Sequence, residues 1–234
     1  MTSLLSFERH EQLSNVAAIM LSVVISLGLA GCLNYEQSAK INADGSGTLR
    51  IHYWTLEPYV TWLSQNKVPF SEDAIRQRYA SDYTTIKAVR VETRESDSTR
   101  HVWIELDFSD FTKLNQAEAF AGNVFEWKHE DGKIKFRHLT APDTTVKGPG
   151  LEGYTVAYEY KMPGSILSSN AMESEDKTLT WVYRLPQLSR SMEMKATIMD
   201  PLAGKGLTNE QIMLLFLGFV VLGVVLLFVV RKRR

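Results

Sequence analysis

One cysteine, Cys32, is all that 234 residues contain, so no disulfide can form within the chain and any thiol exported to an oxidising compartment would stand unpaired. An excess of basic charge is missing too. With the Lys and Arg of both ends set aside (Arg9, Arg231, Lys232, Arg233, Arg234) and Glu8 and Glu11 likewise, the middle carries 21 basic against 25 acidic side chains. Phosphate contacts need concentrated Lys and Arg, so nucleic-acid binding is excluded. Catalytic signatures are absent as well: there is no nucleophile elbow, glycine-rich phosphate loop or paired-carboxylate motif. His52 and His101 show no E-x-x-H or H-x-x-x-H spacing, and Ser168-Ser169-Asn170 reads as a turn cluster. The expectation is a chain that is not an enzyme and carries no cofactor or metal.

Charge and proline are also missing from Ile212 to Val230, IMLLFLGFVVLGVVLLFVV. As a helix this segment reaches ~28 Å, the depth of a bilayer's hydrocarbon core, and it reads as a membrane span. Thr208 to Gln211 matches a capping box at its start. Arg231, Lys232, Arg233 and Arg234 follow it directly, which places that end in the cytoplasm and everything before the span outside. Gly218 and Gly223 lie five apart and make no small-xxx-small pairing face.

An extracytoplasmic middle needs export, and Val16 to Gly31 has the length and small-residue ending of a signal-peptide apolar region. Leu29-Ala30-Gly31-Cys32 resembles the lipobox of bacterial lipoproteins, in which the thiol is joined to a diacylglyceryl group and the chain is cut before the cysteine. Lipidation would also remove the unpaired thiol. The leader sets Arg9 against Glu8 and Glu11 where a signal peptide begins net positive, so an uncleaved anchor is the alternative. Either reading leaves the middle outside the cytoplasm.

The expected organisation is a lipoprotein signal peptide (1–31), an extracytoplasmic α+β domain (32–200), a linker (201–208), a transmembrane helix (209–230) and a basic cytoplasmic tail (231–234). The domain reads as antiparallel hairpins packed with two or three helices. Asp44-Gly45-Ser46-Gly47 turns one hairpin, followed by alternation that puts Leu49, Ile51 and Tyr53 on one face. Ile86 to Thr93 and Arg100 to Phe108 read as a second. The third is VFEWKHEDGKIKFRHL: a two-residue Asp131-Gly132 turn pairs Glu130 with Lys133, His129 with Ile134, Trp127 with Phe136 and Phe125 with His138. Its core face holds Phe125, Trp127, His129, Ile134, Phe136 and His138, the two histidines half-buried and too far apart to share a metal.

Helices are expected over EPYVTWLSQ, over SEDAIRQRYA with Ser71 as N-cap, and over DFTKLNQAEAFAG ending at Gly122. After Glu152 come a strand, a turn, a polar loop and a strand; Tyr154, Tyr158 and Tyr160 share one parity, as do Leu179, Trp181, Tyr183 and Leu185, and both stripes read as core. MEMKATIM forms the last strand. An amphiphile pocket, if the fold has one, would be enclosed and apolar, lined by residues such as Trp54, Trp62, Trp103 or Tyr158.

The order of lipobox cysteine, CLNYEQSAKINADGSGTLRIHY, a closing YEYKMPGSILSSN…TLTWVYRL and a single C-terminal span resembles the LppM-type bacterial membrane lipoproteins. The resemblance implies an α+β extracytoplasmic domain without catalysis that binds lipid or glycolipid at the cell envelope, and it carries over no ligand residues. The expected partners are therefore a membrane lipid, with an envelope protein as the alternative. The expected location is the cytoplasmic membrane, with both ends of the domain held at the bilayer.

Overall fold

The computed structural model describes residues 33–143 and 151–203. Eleven strands in these segments form two sheets. β1 (Leu33–Ile41), β2 (Gly47–Leu56), β3 (Thr84–Arg94), β4 (Thr99–Phe108), β7 (Thr155–Lys161), β9 (Glu173–Glu175) and β10 (Thr178–Arg184) make the larger one, in the order β3-β4-β2-β1-β7-β10-β9. β5 (Val124–Glu130), β6 (Lys133–Leu139), β8 (Ile166–Ser169) and β11 (Glu193–Met199) make the smaller one, ordered β5-β6-β11-β8. α1 (Val60–Gln65) and α2 (Glu72–Tyr79) are the α-helices among the described residues. The fold is α+β, with few helices and mostly strands.

All three hairpins form, and the third pairs rung for rung as its sequence implies, Phe125 against His138 through Glu130 against Lys133. Asp131 and Gly132 both take positive φ, 51° and 69°, which a two-residue turn between right-twisted strands requires. One pairing departs from the antiparallel expectation: β1 joins β7 in parallel, Tyr35 beside Val156 and Lys40 beside Lys161. This contact welds the N-terminal hairpins to the C-terminal one.

Inward-facing alternation fills the space between the layers. Tyr160 and Trp181 of the large sheet meet Phe136 of the small one at ring-centroid distances of 4.9 and 6.1 Å. The other half of the large sheet is covered by the helical segment, where Phe70 packs edge-on against Tyr53 at 5.4 Å and the Tyr53 hydroxyl donates to the Pro69 carbonyl. The tyrosine and Leu179 to Leu185 stripes are core, as read from sequence, except that Tyr154 is half-buried at its edge; Tyr158, Tyr160, Leu179, Trp181, Tyr183 and Leu185 are all buried.

Several expectations need correction. The segment from Asp110 to Gly122 is two 3-10 turns, Phe111–Gln116 and Glu118–Phe120, separated by an extended Ala117. Its buried residues, Phe111, Leu114, Ala117 and Phe120, recur every third position, which matches three residues per turn and not 3.6. Glu57–Tyr59 is likewise 3-10 before α1 begins. Ser71 does stand at the N-cap of α2, but its side chain makes no cap bond. The polar loop holds β8 and β9, so Ser168 and Ser169 are strand residues; Asn170 follows and accepts from the Trp181 indole at 3.0 Å.

Among the described residues no helix is long and apolar enough to cross a membrane. The expected span at Ile212 to Val230 lies outside them. Inside the described part, the chain enters and leaves at opposite ends of the sandwich. Leu33 opens β1 at one end, whereas Asp200 hydrogen-bonds Gly132 at the β5–β6 turn, near the Trp127 indole that reaches the Ala43 carbonyl just past the other end of β1. Nine strand residues separate the two ends by ~27 Å.

Candidate functional site

Strand pairing sorts the outer face of the large sheet into rows. One row runs Glu36, His52, Trp103, Arg90 across β1, β2, β4 and β3, with Ala157 of β7 continuing it on the far side of Glu36. The next, farther from the chain entry, runs Ser38, Arg50, Glu105, Ala88, continued by Glu159 and Thr180. On the entry side, Asn34, Trp54, His101 and Glu92 form a third. The first two rows line an open groove of about 750 Å³.

The groove wall is an aromatic stack. The Arg90 guanidinium lies 3.7 Å over the Trp103 ring, and the His52 imidazole is parallel to that ring within 4° at 4.8 Å. Trp54 stacks on His52 at 4.6 Å. Trp103 therefore has a cation on one side and an imidazole on the other, an arrangement worth about 0.5–2 kcal/mol per cation–π contact. It is a fixed wall.

Within this stack His52 and His101 converge, Nε2 to Nδ1 at 3.0 Å, which sequence spacing does not suggest. The contact belongs to a longer chain. Glu36 Oε2 lies 3.3 Å from His52 Nδ1, His101 Nε2 lies 2.8 Å from the Thr99 hydroxyl, and that hydroxyl donates to Asp97 at 2.6 Å. Thr99 has one proton and gives it to Asp97, so its oxygen accepts from His101 Nε2–H. His101 Nδ1 then accepts from His52 Nε2–H. Neutral His52 is left with a lone pair facing Glu36, and one added proton at Nδ1 would complete the chain from carboxylate to carboxylate.

Burial pushes the His52 pKa below its ordinary value, against the pull of the Glu36 carboxylate. His101 is lowered by burial first and by Arg94 second. Because Glu36 raises the His52 value, Glu36→Gln should lower it further. NMR titration of the imidazole resonances checks this, and an upward shift would break the assigned chain.

The other histidines lie apart. His129 is exposed and pairs with Asp200 at 2.7 Å, not half-buried as expected. His138 is fully buried in the core. There Tyr35 donates to Gln37 Oε1 (2.8 Å), Gln37 Nε2 donates to the Tyr160 oxygen (2.9 Å), and Tyr160 gives its proton to His138 Nδ1 (2.8 Å). The remaining N–H, at Nε2, has no hydrogen-bond partner among the described residues. Burial drives this imidazole's pKa down to about 3. Among the described residues no group of three or more His, Cys, Asp or Glu is gathered for a metal ion.

The expected pocket residues do not line one cavity. Trp54 and Trp103 stand on the outer face, Tyr158 points into the core and Trp62 is exposed on α1. Cys32 with Leu29, Ala30 and Gly31, and the tail Arg231, Lys232, Arg233 and Arg234, lie outside the described residues.

No protein-family model matches this chain, and no curated protein sequence does. Among solved structures it is similar to the folded domain of LppM from Mycobacterium tuberculosis, determined by NMR. The TM-score is 0.47 at 17% sequence identity, over 74% of this chain and 93% of that one.

Proposed function

We propose that this chain is a non-catalytic envelope lipoprotein, lipid-anchored at Cys32 and held by the Ile212 to Val230 span in the cytoplasmic membrane. Its extracytoplasmic domain binds the polar headgroup of an amphiphile in the outer groove. The observation that carries this reading is the position of the groove: its Glu36 row lies three residues, ~10 Å, from Leu33, which directly follows Cys32. A groove so placed meets molecules at the membrane surface.

Its chemistry suits a headgroup and not an acyl chain. Glu36, Glu105 and Glu159 accept hydrogen bonds, Arg50 and Arg90 donate them, and Ser38 and Thr180 do both. Charges of both signs close together favour a hydroxyl-rich group over a bare phosphate. Native mass spectrometry of the full chain purified from its own host should find an amphiphile that co-purifies. Ala157→Trp, which fills the groove floor while leaving every charged residue of the groove in place, should reduce its occupancy at least tenfold. Unchanged occupancy in the variant would remove the groove from the reading.

Exposed Leu167, Met172 and Val182 near the β8–β10 strands favour a second reading, a membrane-held assembly subunit of an envelope complex. An empty groove together with a stoichiometric protein partner in the same spectra would support it.

A further inference from the structure

The end of the sandwich where β1 starts carries apolar side chains that the core does not cover. Leu33 pairs with Thr55, and the next residue, Leu56, is 39% exposed. The chain then turns through Glu57–Tyr59 into α1, where Leu63 faces the core and Trp62 points away from it, 47% exposed. Around them the charges nearly cancel: Glu57 is held by Arg100, and Arg94, Lys67, Glu95 and Asp97 divide evenly between the signs. No strong field of one sign surrounds Trp62.

We infer that this end of the domain docks on the bilayer surface, with Trp62 of α1 and Leu56 seated among the lipid headgroups. The occupant follows from where the chain enters. Cys32 is one residue before Leu33, so acyl chains on that cysteine hold the Leu33–Thr55 rung at the membrane, and Leu56 is the next residue along. An indole half in and half out of protein suits the interface, where its ring is apolar and its N–H stays wet. The inference rests on the lipoprotein reading of Cys32. It adds an orientation: the strands stand with their β1-start end down, the groove opens just above the headgroups, and the exit at Ala203 lies ~27 Å away along β1. The eight residues from 204 to 211 span ~27 Å when extended, enough to return the chain to the span.

The test uses the full chain in phosphatidylcholine and phosphatidylglycerol vesicles whose acyl chains carry bromine, a short-range quencher of indole fluorescence. All five tryptophans lie between Trp54 and Trp181, so neither terminal segment contributes signal. Trp62→Phe should remove more than half of the quenchable fluorescence, and Trp54→Phe should leave most of it. Quenching that survives Trp62→Phe in full, or an acylated wild-type chain that is not quenched, would overturn the docking. Mass spectrometry of the same sample separates the two claims. A Cys32 without acyl chains overturns the lipoprotein reading, while quenching lost with Trp62 still upholds this docking face.

Discussion

Acidification from pH 7 to pH 4.5 should cost this domain roughly 3 kcal/mol of stability, and His138 should account for most of it. In the unfolded chain an imidazole titrates near 6.5, whereas burial between the sheets lowers that of His138 to about 3. Between those values the unfolded state binds one proton more than the folded state. Stability therefore holds above pH 6.5 and falls by ~1.4 kcal/mol for each unit below it, up to ~5 kcal/mol in all. His52 and His101, both lowered, act in the same direction. Against a typical total of about 5–15 kcal/mol, such a loss is large.

His138→Phe isolates the effect. The new ring would keep the stack on Phe125, now 4.4 Å between centroids, and would remove the unpartnered Nε2–H. It would also take away the acceptor of the Tyr160 proton, so at pH 7 the two changes offset each other to within about 1–2 kcal/mol. At pH 4.5 the variant should be the more stable protein. Urea unfolding followed by tryptophan fluorescence across this range reads the crossing directly. Parallel stability curves for the two proteins would show that the buried imidazole has no part in acid sensitivity.

How far such features are legible in sequence depends on whether the contacts are local. The Phe125 to His138 hairpin could be read to the rung because a two-residue turn fixes register and alternation fixes the face. Neither rule reaches beyond the hairpin, so the depth of His138 under Tyr158 and Tyr160 was not visible. The His52–His101 contact spans 49 residues and depends on β2 pairing with β4, which follows it by two strands. A signal was nonetheless present. His52-Tyr53-Trp54 and His101-Val102-Trp103 are the same His-x-Trp pattern, and antiparallel pairing sets each histidine opposite the other's tryptophan. Period alone also distinguishes the 3-10 turns from an α-helix, since Phe111, Leu114, Ala117 and Phe120 never use the i+4 step. The parallel β1–β7 join had no local signature, because more than a hundred residues lie between its partners.

Phe111→Ala should destabilise the domain by about 3–5 kcal/mol, more than truncating any single exposed residue of the groove. The side chain is fully buried and lies within 5.1–6.2 Å, ring to ring, of Phe125, Phe136, Phe108, Trp127 and Tyr160. Those partners come from β4, both strands of the third hairpin, and β7. Its backbone N–H also donates to the Gly45 carbonyl at 2.8 Å, tying the first 3-10 turn to the β1–β2 turn. A cavity here cannot collapse cheaply, because its walls belong to two sheets whose separation is set by the remaining rings. Unfolding midpoints in urea, read at pH 7 where His138 is mostly neutral in both states, give the value nearly free of the proton effect. A loss below about 1.5 kcal/mol would mean that the sheets close over the gap, and that the register of hairpin and sheet, not this ring, holds the two layers together.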